Sequence, residues 1–194
     1  MTYDNIISKK KIRDDYFEMH AFLKEQISKA SPNPSHLLFT ELQNQGKLLK
    51  LVTQNIDRLH KSAGVSEDKL LEIHGNSEGI ICTKCKTMQP NPEKTYNAVK
   101  ECVYKGEEIP EALTTCCHEH CGGVLKPNTI SFGEPLVEEV LVEARQMCRE
   151  CDLLIVMGTR LLVRPVNQFP KLVARRNVPV VIINMEGKFS ELIH

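Results

Sequence analysis

The sequence predicts an α/β protein with a parallel sheet and a small inserted zinc-binding module. Three short apolar runs, at residues 48–53, 153–157 and 180–183, are typical of buried strands, and amphipathic helical patterns lie between them. The last two runs flank a helix within about thirty residues, and such a βαβ unit makes its two strands parallel. Residues 80–127 interrupt this pattern, because they show little apolar periodicity and hold six of the eight cysteines.

Two helices are expected before the first strand. Residues 14–28 place one apolar stripe on a helical face, formed by Tyr16, Met19, Leu23 and Ile27. A second helix should begin at Pro34, with Asn33 as its cap, and end near Gly46. We expect that helix to bury Leu38 and Leu42.

The α/β pattern resumes after residue 127. A helical stripe leads into the strand at residues 153–157, and it consists of Val137, Val140, Leu141, Ala144, Met147, Cys148 and Cys151. A helix over residues 165–176 then precedes the last strand. We therefore divide the chain into an α/β part over residues 1–79, a zinc-binding module over 80–127, and a resumed α/β part over 128–194.

Composition excludes several classes of function. The 194 residues include 25 Lys and Arg against 25 Asp and Glu, so the net charge of +0 creates no field that attracts nucleic acid or an anionic membrane. No apolar run approaches the roughly 18 residues of a membrane span, and no apolar stretch marks a signal peptide. We expect a cytoplasmic or nuclear protein with neither membrane nor direct nucleic-acid partners.

The cysteine-rich stretch predicts a structural zinc site. Cys82 and Cys85 form one CxxC pair, and the cluster at residues 116–121 supplies the second pair, ending at Cys121. Zinc in a structural role takes four such ligands. The third ligand is ambiguous: Cys117 is preferred, and Cys116 and His118 lie within reach.

Cys148 and Cys151 form another CxxC pair, which competes for the metal. Both lie on the apolar stripe of the helix that precedes a buried strand, and a free cysteine packs like a small hydrophobic residue. Core packing is therefore the preferred interpretation of this pair.

Polar residues follow the predicted strands. Gln54, Asn55 and Asp57 come directly after the first strand, and such side chains could bind ribose hydroxyls and a carboxamide. Gly158 and Thr159 follow the strand at 153–157, and Asn184 follows the last strand, so these residues share one edge of the sheet. His74 precedes a glycine at a probable turn and is the type of residue that acts as a general base near neutral pH.

Together these motifs resemble the sirtuin family of NAD-dependent protein-lysine deacylases. The ordered set includes residues 53–57, His74-Gly75, the cysteine pairs, residues 123–127, Phe132-Gly133-Glu134, Gly158-Thr159 and Ile183-Asn184. Each motif is weak alone, but their order over most of the chain is specific.

The resemblance implies a Rossmann-like sheet, a chemistry and a role for each residue. His74 would be the general base, with Asn55 and Asp57 beside it in the catalytic centre. Gln54, Asn55 and Asp57 would line the nicotinamide and ribose pocket of NAD, where His74 would also contact the cofactor. Gly158, Thr159 and Asn184 would hold its adenosine side. Phe132-Gly133-Glu134 would pair with the acyl-lysine peptide. The products would be nicotinamide and O-acyl-ADP-ribose, and the zinc would be structural.

The sequence departs from the family pattern in three places. Arg160 and Asn128 stand where the family usually has serine and aspartate. The family's opening strand, its Gly-Ala-Gly loop and its Pro-Asp-Phe-Arg segment do not occur, nor does its final strand. We therefore expect a Rossmann-like part that lacks its phosphate loop, and a chain that is nearly inactive alone.

Two functions follow from these expectations. The first is a deacylase, impaired by the missing loop; the second is a catalytically dead, zinc-stabilised protein-interaction module. NAD affinity distinguishes them, because only the deacylase requires it.

Overall fold

The computed structural model describes residues 1–185. The helices are α1 (Tyr3–Ser8), α2 (Lys10–Ser28), α3 (Pro34–Asn44), α4 (Leu59–Ser62), α5 (Pro92–Lys105), α6 (Glu138–Glu150) and α7 (Phe169–Ala174). The strands are β1 (Leu51–Thr53), β2 (Leu70–Glu72), β3 (Gly75–Cys82), β4 (Leu125–Thr129), β5 (Leu154–Met157) and β6 (Val180–Ile183). Residues 186–194, the end of the predicted third segment, lie outside the described part.

The strands pair in three two-stranded sheets. β1 and β2 are parallel, with Thr53 beside Glu72, and β5 and β6 are parallel, with Met157 beside Ile183. β3 and β4 form an antiparallel pair that leads into and out of the cysteine-rich stretch. The predicted parallel pairing is therefore confirmed for β5 and β6, and the predicted strand at residues 48–53 is shortened to β1.

The second predicted helix begins where its capping residues indicate. The Asn33 side-chain oxygen accepts hydrogen bonds from the backbone N–H groups of Ser35 at 2.9 Å and His36 at 3.2 Å. The His36 ring accepts the Asn33 N–H in return at 3.1 Å, which completes a capping box. The buried face differs from the prediction, since α3 buries Phe39 while Leu38 remains 41% exposed.

The buried face of α2 differs from the apolar stripe that the sequence predicts. Tyr16 is buried as expected, but Met19 is 45% exposed, while Phe17 and Ala21 are completely or almost completely buried. The reason is tertiary: Phe17 and Ala21 pack against β3 and α5 of the cysteine-rich stretch, which the helical period alone does not reveal.

The cysteine-rich stretch has an apolar core as well as its cysteines. Helix α5, which the sequence analysis did not anticipate, buries Tyr96 and Val99 against Ile80 and Leu125. Because α2 contributes to the same cluster, the apolar contacts of the predicted module extend across its N-terminal boundary.

Two further clusters support the parallel pairs. One joins α6 and α7 through Leu141, Ala144, Cys148, Phe169 and Val173, with β2 and β5 packed beside them. The other lies between α3 and β1, and Met157 at the end of β5 packs against it. The carboxyl ends of β1 and β5 lie close together, since the residues that follow them, Gln54 and Thr159, share a hydrogen bond. The predicted helix at 165–176 is a 3-10 turn, Val166–Gln168, followed by α7.

Gly75 is required where β3 begins. Its φ is +71°, and an added Cβ would lie 2.1 Å from the backbone oxygen of Asn128. Gly106 has a similar φ of +68°, but nothing lies within 4 Å of its Cβ position. We expect Gly75→Ala to lower the free energy of unfolding by roughly 2–5 kcal/mol, against roughly 1–2 kcal/mol for Gly106→Ala.

Denaturant unfolding of the two variants checks this expectation. Equal losses would show that the strand carrying Asn128 moves aside without cost, and that only the backbone conformation matters at Gly75.

Candidate functional site

A chain of hydrogen bonds connects the polar residues that follow four strands, β1, β2, β5 and β6. The Nδ1 atom of His74 lies 3.2 Å from the backbone oxygen of Gln54. The Gln54 side-chain oxygen accepts a hydrogen bond from the Thr159 hydroxyl at 2.8 Å, and the Asn184 side-chain amide donates to the Thr159 carbonyl at 2.9 Å. Residues far apart in sequence thus meet at one edge, as the sequence analysis expects for strand ends.

The register of β1 and β2 places His74 beside Gln54. Thr53 pairs with Glu72, and the Ile73 N–H donates to the Thr53 carbonyl at 3.1 Å. The residues that come next in the two segments, Gln54 after Thr53 and His74 after Ile73, therefore lie side by side. A carbonyl oxygen only accepts hydrogen bonds, so the contact holds the neutral imidazole with its proton on Nδ1. Nε2 is then the nitrogen that can accept a proton.

Asn55 and Asp57 lie in the short loop between β1 and α4. The Asp57 carboxylate accepts the Leu59 N–H at 2.9 Å, which orders the start of α4, and the Asn55 N–H donates to the Thr53 hydroxyl at 3.1 Å. The Asn55 side chain is exposed. The loop is also tied to β3, because the Ser77 N–H donates to the Ile56 carbonyl at 2.9 Å.

These residues line a cavity of about 660 Å³ between α2, the loop after β1 and the segment after β4. Its polar wall contains Gln54, Asn55, Asp57 and His74, and its apolar wall comes from α2 and residues 130–132. Gly158, Thr159 and Asn184 do not line this cavity, but Thr159 contacts its wall through the hydrogen bond to Gln54. The volume suits a small organic ligand with one polar end.

A buried polar cluster forms another part of the cavity wall. The Tyr16 hydroxyl lies 2.7 Å from the Thr129 hydroxyl and 3.0 Å from that of Ser131, and the His20 Nε2 is 3.4 Å from Thr129. Burial, assisted by the charge of Lys126, lowers the pKa of His20 to about 4. His20 is therefore neutral at physiological pH and adds no charge to the site.

Lys126 is the buried charge that the sequence analysis overlooked. Its side chain is 2% exposed, and its ammonium group lies 3.1 Å from the Glu134 carboxylate and donates to the carbonyls of Pro127 and Thr129. Glu134 also accepts the Ser131 N–H at 2.9 Å, so the pair braces the segment that carries Phe132. The signal available in the sequence was the position of this lysine between the apolar residues Leu125 and Pro127.

Four cysteines converge at the tip of the inserted stretch. The sulfur atoms of Cys82, Cys85, Cys116 and Cys121 all lie within 4.8 Å of one another. Cys82 and Cys121 are 3.6 Å apart, and Cys85 and Cys116 are 3.8 Å apart. Sulfur ligands of a tetrahedral zinc, at about 2.3 Å from the metal, are separated by about 3.8 Å, so the four thiols fit that ion.

The structure favours Cys116 over Cys117 as the third ligand. Cys116, the alternative, completes the group, whereas Cys117 is exposed and its thiol lies 3.6 Å from the Gln89 side-chain oxygen. The reason is backbone direction: Cys116 N–H donates to the Gly123 carbonyl, which turns Cys116 inward and Cys117 outward. His118 is exposed and outside the group.

Cys148 and Cys151 lie in the core cluster of α6 and α7, apart from the four-thiol group. Burial raises the pKa of Cys148 to about 11, which favours the neutral thiol. The Arg176 guanidinium donates to the carbonyls of both residues at 2.9 and 3.0 Å. This environment supports core packing for the pair.

Among residues 1–185, no helix combines the length and the apolar character needed to cross a membrane. Arg160 is exposed at the end of β5, and Asn128 is half-buried in β4. Neither of these two departures from the family pattern lines the cavity.

The sequence model of the Sir2 family matches residues 1–165. An NAD-dependent protein deacetylase of Thermodesulfovibrio yellowstonii is 35% identical over 184 residues, which are 95% of this chain and 67% of that protein. The mitochondrial NAD-dependent protein deacylase sirtuin-5 of Xenopus tropicalis is 36% identical over 182 residues, 88% of this chain and 58% of that protein. The chain thus spans about three fifths to two thirds of these relatives.

Solved structures show the same fold. Sir2Tm bound to a propionylated peptide superimposes with a TM-score of 0.74 at 30% identity, over 99% of this chain and 77% of that one. The similarity includes both α/β parts and the inserted stretch, since nearly the whole chain is matched.

Proposed function

Because the chain belongs to the Sir2 family, we propose that its cavity is the catalytic centre of an NAD-dependent protein-lysine deacylase. The observation that carries the proposal is the hydrogen bond from His74 Nδ1 to Gln54 at the polar wall of the cavity. It leaves Nε2 able to take a proton from a ribose hydroxyl near neutral pH.

The residues around the cavity fit the nicotinamide and ribose half of NAD. Gln54, Asn55 and Asp57 offer amide and carboxylate groups on the polar wall, and Gln54 connects them to Thr159 and Asn184, to which we assign the adenosine side. When bound, NAD supplies the ribose carbon to which the acyl oxygen of the substrate becomes attached as nicotinamide leaves.

We assign the peptide site to the segment after β4. Phe132 is 75% exposed and lines the cavity, while the Lys126–Glu134 pair holds its neighbours in place. An acyl-lysine peptide that pairs with this segment would extend its acyl group toward His74. We assign a structural role to zinc, on the four cysteines of the inserted stretch, since a closed set of four thiolates leaves no position for a substrate.

Incubation with NAD and an acetyl-lysine peptide, followed by mass spectrometry, tests the proposal. Two proteins are compared: this chain, and an extended version that carries a strand, a Gly-Ala-Gly loop and a Pro-Asp-Phe-Arg segment before Met1. We expect NAD-dependent loss of acetyl with the extended version and little with this chain, because the sequence has no Gly-X-Gly loop to hold the pyrophosphate.

A folded extended version that neither binds NAD nor removes the acetyl group would favour the interaction module instead. Equal rates for the two proteins would show that the phosphate loop is dispensable.

We further propose that the protein works in a reducing compartment, the cytoplasm or nucleus. None of the eight cysteines forms a disulfide, and cysteines persist in that state where glutathione and thioredoxin keep them reduced. The balanced charge argues against a direct nucleic-acid partner.

A further inference from the structure

Arg58 has an unusual backbone conformation at the end of the loop that carries Asn55 and Asp57. Its φ is +59°, in the left-handed region that residues with side chains seldom occupy, and it caps the start of α4. Such a conformation is strained and persists where the surroundings hold it. The side chain of Arg58 is only 14% exposed, so its partners can supply that hold.

Three carboxylates surround the Arg58 guanidinium. Glu72 lies at 3.0 Å, Glu78 at 3.1 Å and Glu67 at 3.5 Å. Glu72 is 14% exposed, whereas Glu78 and Glu67 are 58% and 73% exposed. Exposed pairs contribute little, and the loss of one partner from a buried pair is costly, so Glu72 is the partner that fixes Arg58.

Glu72 connects Arg58 to the chain on both sides of His74 in the sequence. It is the last residue of β2, two positions before His74, and its carboxylate also accepts the Asn76 side-chain amide at 2.8 Å. Glu72 and Asn76 therefore bracket His74 along the chain. The loop that carries Gln54 and the turn that carries His74 share one largely buried ion pair, whose two side chains are each 14% exposed.

We propose that Arg58 and Glu72 are positioning residues that keep the Gln54 carbonyl on His74 Nδ1. Without the pair, the loop is free to move from the strand end, and the contact that fixes the tautomer of His74 is lost. The inference rests on the proposed function, in that it takes His74 as the base. Neither Arg58 nor Glu72 lines the cavity, so both act through the residues that do.

Long-range ¹H–¹⁵N spectra of the histidine rings of this chain, recorded above pH 8, report the tautomer directly. The His74 signal is identified by its loss in His74→Asn. We expect the Nδ1–H tautomer in the unaltered chain, and a shift toward Nε2–H in Arg58→Met and Glu72→Gln. Glu78→Gln, which removes an exposed partner of the same guanidinium, should leave the spectrum unchanged.

Zinc content and circular dichroism show whether each variant is folded. If Arg58→Met does not fold, the spectrum of Glu72→Gln tests the proposal by itself, because that substitution preserves the shape of the side chain. The unaltered tautomer in the folded variants, or an equal shift in Glu78→Gln, would overturn the proposal.

The activity of the extended version separates this inference from the proposed function. We expect kcat/KM to fall roughly 10²-fold in Arg58→Met, with partial recovery in Arg58→Lys. If the spectra change as expected but the extended version shows no deacylase activity, the proposed function is refuted and the positioning role is supported. A loss of activity with an unchanged tautomer would refute the positioning role alone.

Discussion

Replacement of Cys116 by serine should abolish stoichiometric zinc binding, whereas replacement of its neighbour Cys117 should not. Cys116 belongs to the group of four thiols within 4.8 Å, and Cys117 is exposed beside Gln89. Structural zinc contributes on the order of 10 kcal/mol of binding free energy to folding, and a site with three thiolates and a weak hydroxyl loses much of it.

Metal analysis of purified protein measures this difference. The unaltered chain, Cys117→Ser and Cys148→Ala should each contain about one zinc per chain, and Cys82→Ala and Cys116→Ser should contain little. We also expect loss of cooperative unfolding in the last two variants, because the sulfur atoms hold the end of β3, which contributes Ile80 to the core with α2. Zinc loss in Cys117→Ser with retention in Cys116→Ser would reverse the ligand assignment.

Replacement of His74 by alanine in the extended version should reduce NAD-dependent deacylation by 10²-fold or more. The hydrogen bond to Gln54 fixes the ring, and a general base contributes typically 10²–10⁴-fold to a rate. The variant should retain its affinity for NAD, because we assign the binding contacts to Gln54, Asn55 and Asp57.

Steady-state kinetics and calorimetric titration with NAD check both parts of this expectation. His20→Asn is a suitable control, since His20 also lines the cavity but is buried, with its pKa lowered by burial to about 4, and we give it no part in proton transfer. An unchanged rate in His74→Ala would refute its assignment as the base.

Local patterns were sufficient for the elements that have strong signals of their own. Asn33 and Pro34 located the start of α3, and runs of apolar, mostly β-branched residues located β5 and β6, because caps and strands each favour particular residue types. The same patterns failed for α5, whose two buried residues, Tyr96 and Val99, are too few to establish a helical period.

The candidate site was likewise predictable from the sequence in part. Its residue types and their order along the chain indicated a family, and the strand ends indicated a shared edge, so Gln54, His74, Thr159 and Asn184 could be grouped before their contacts were known. The burial of Leu38 and Met19 was predicted wrongly, because a helical period identifies a stripe but not the neighbour that covers it.

By itself, the sequence determined the α/β class and three of the four clustered cysteines, Cys82, Cys85 and Cys121, and it proposed His74 as the base. Only the tertiary structure decided between Cys116 and Cys117, because adjacent residues point in opposite directions and the backbone bond to Gly123 sets which one turns inward. It alone also revealed the Arg58–Glu72 pair, since an ion pair between residues 14 positions apart depends on how the loop folds back onto β2, which neither periodicity nor spacing encodes.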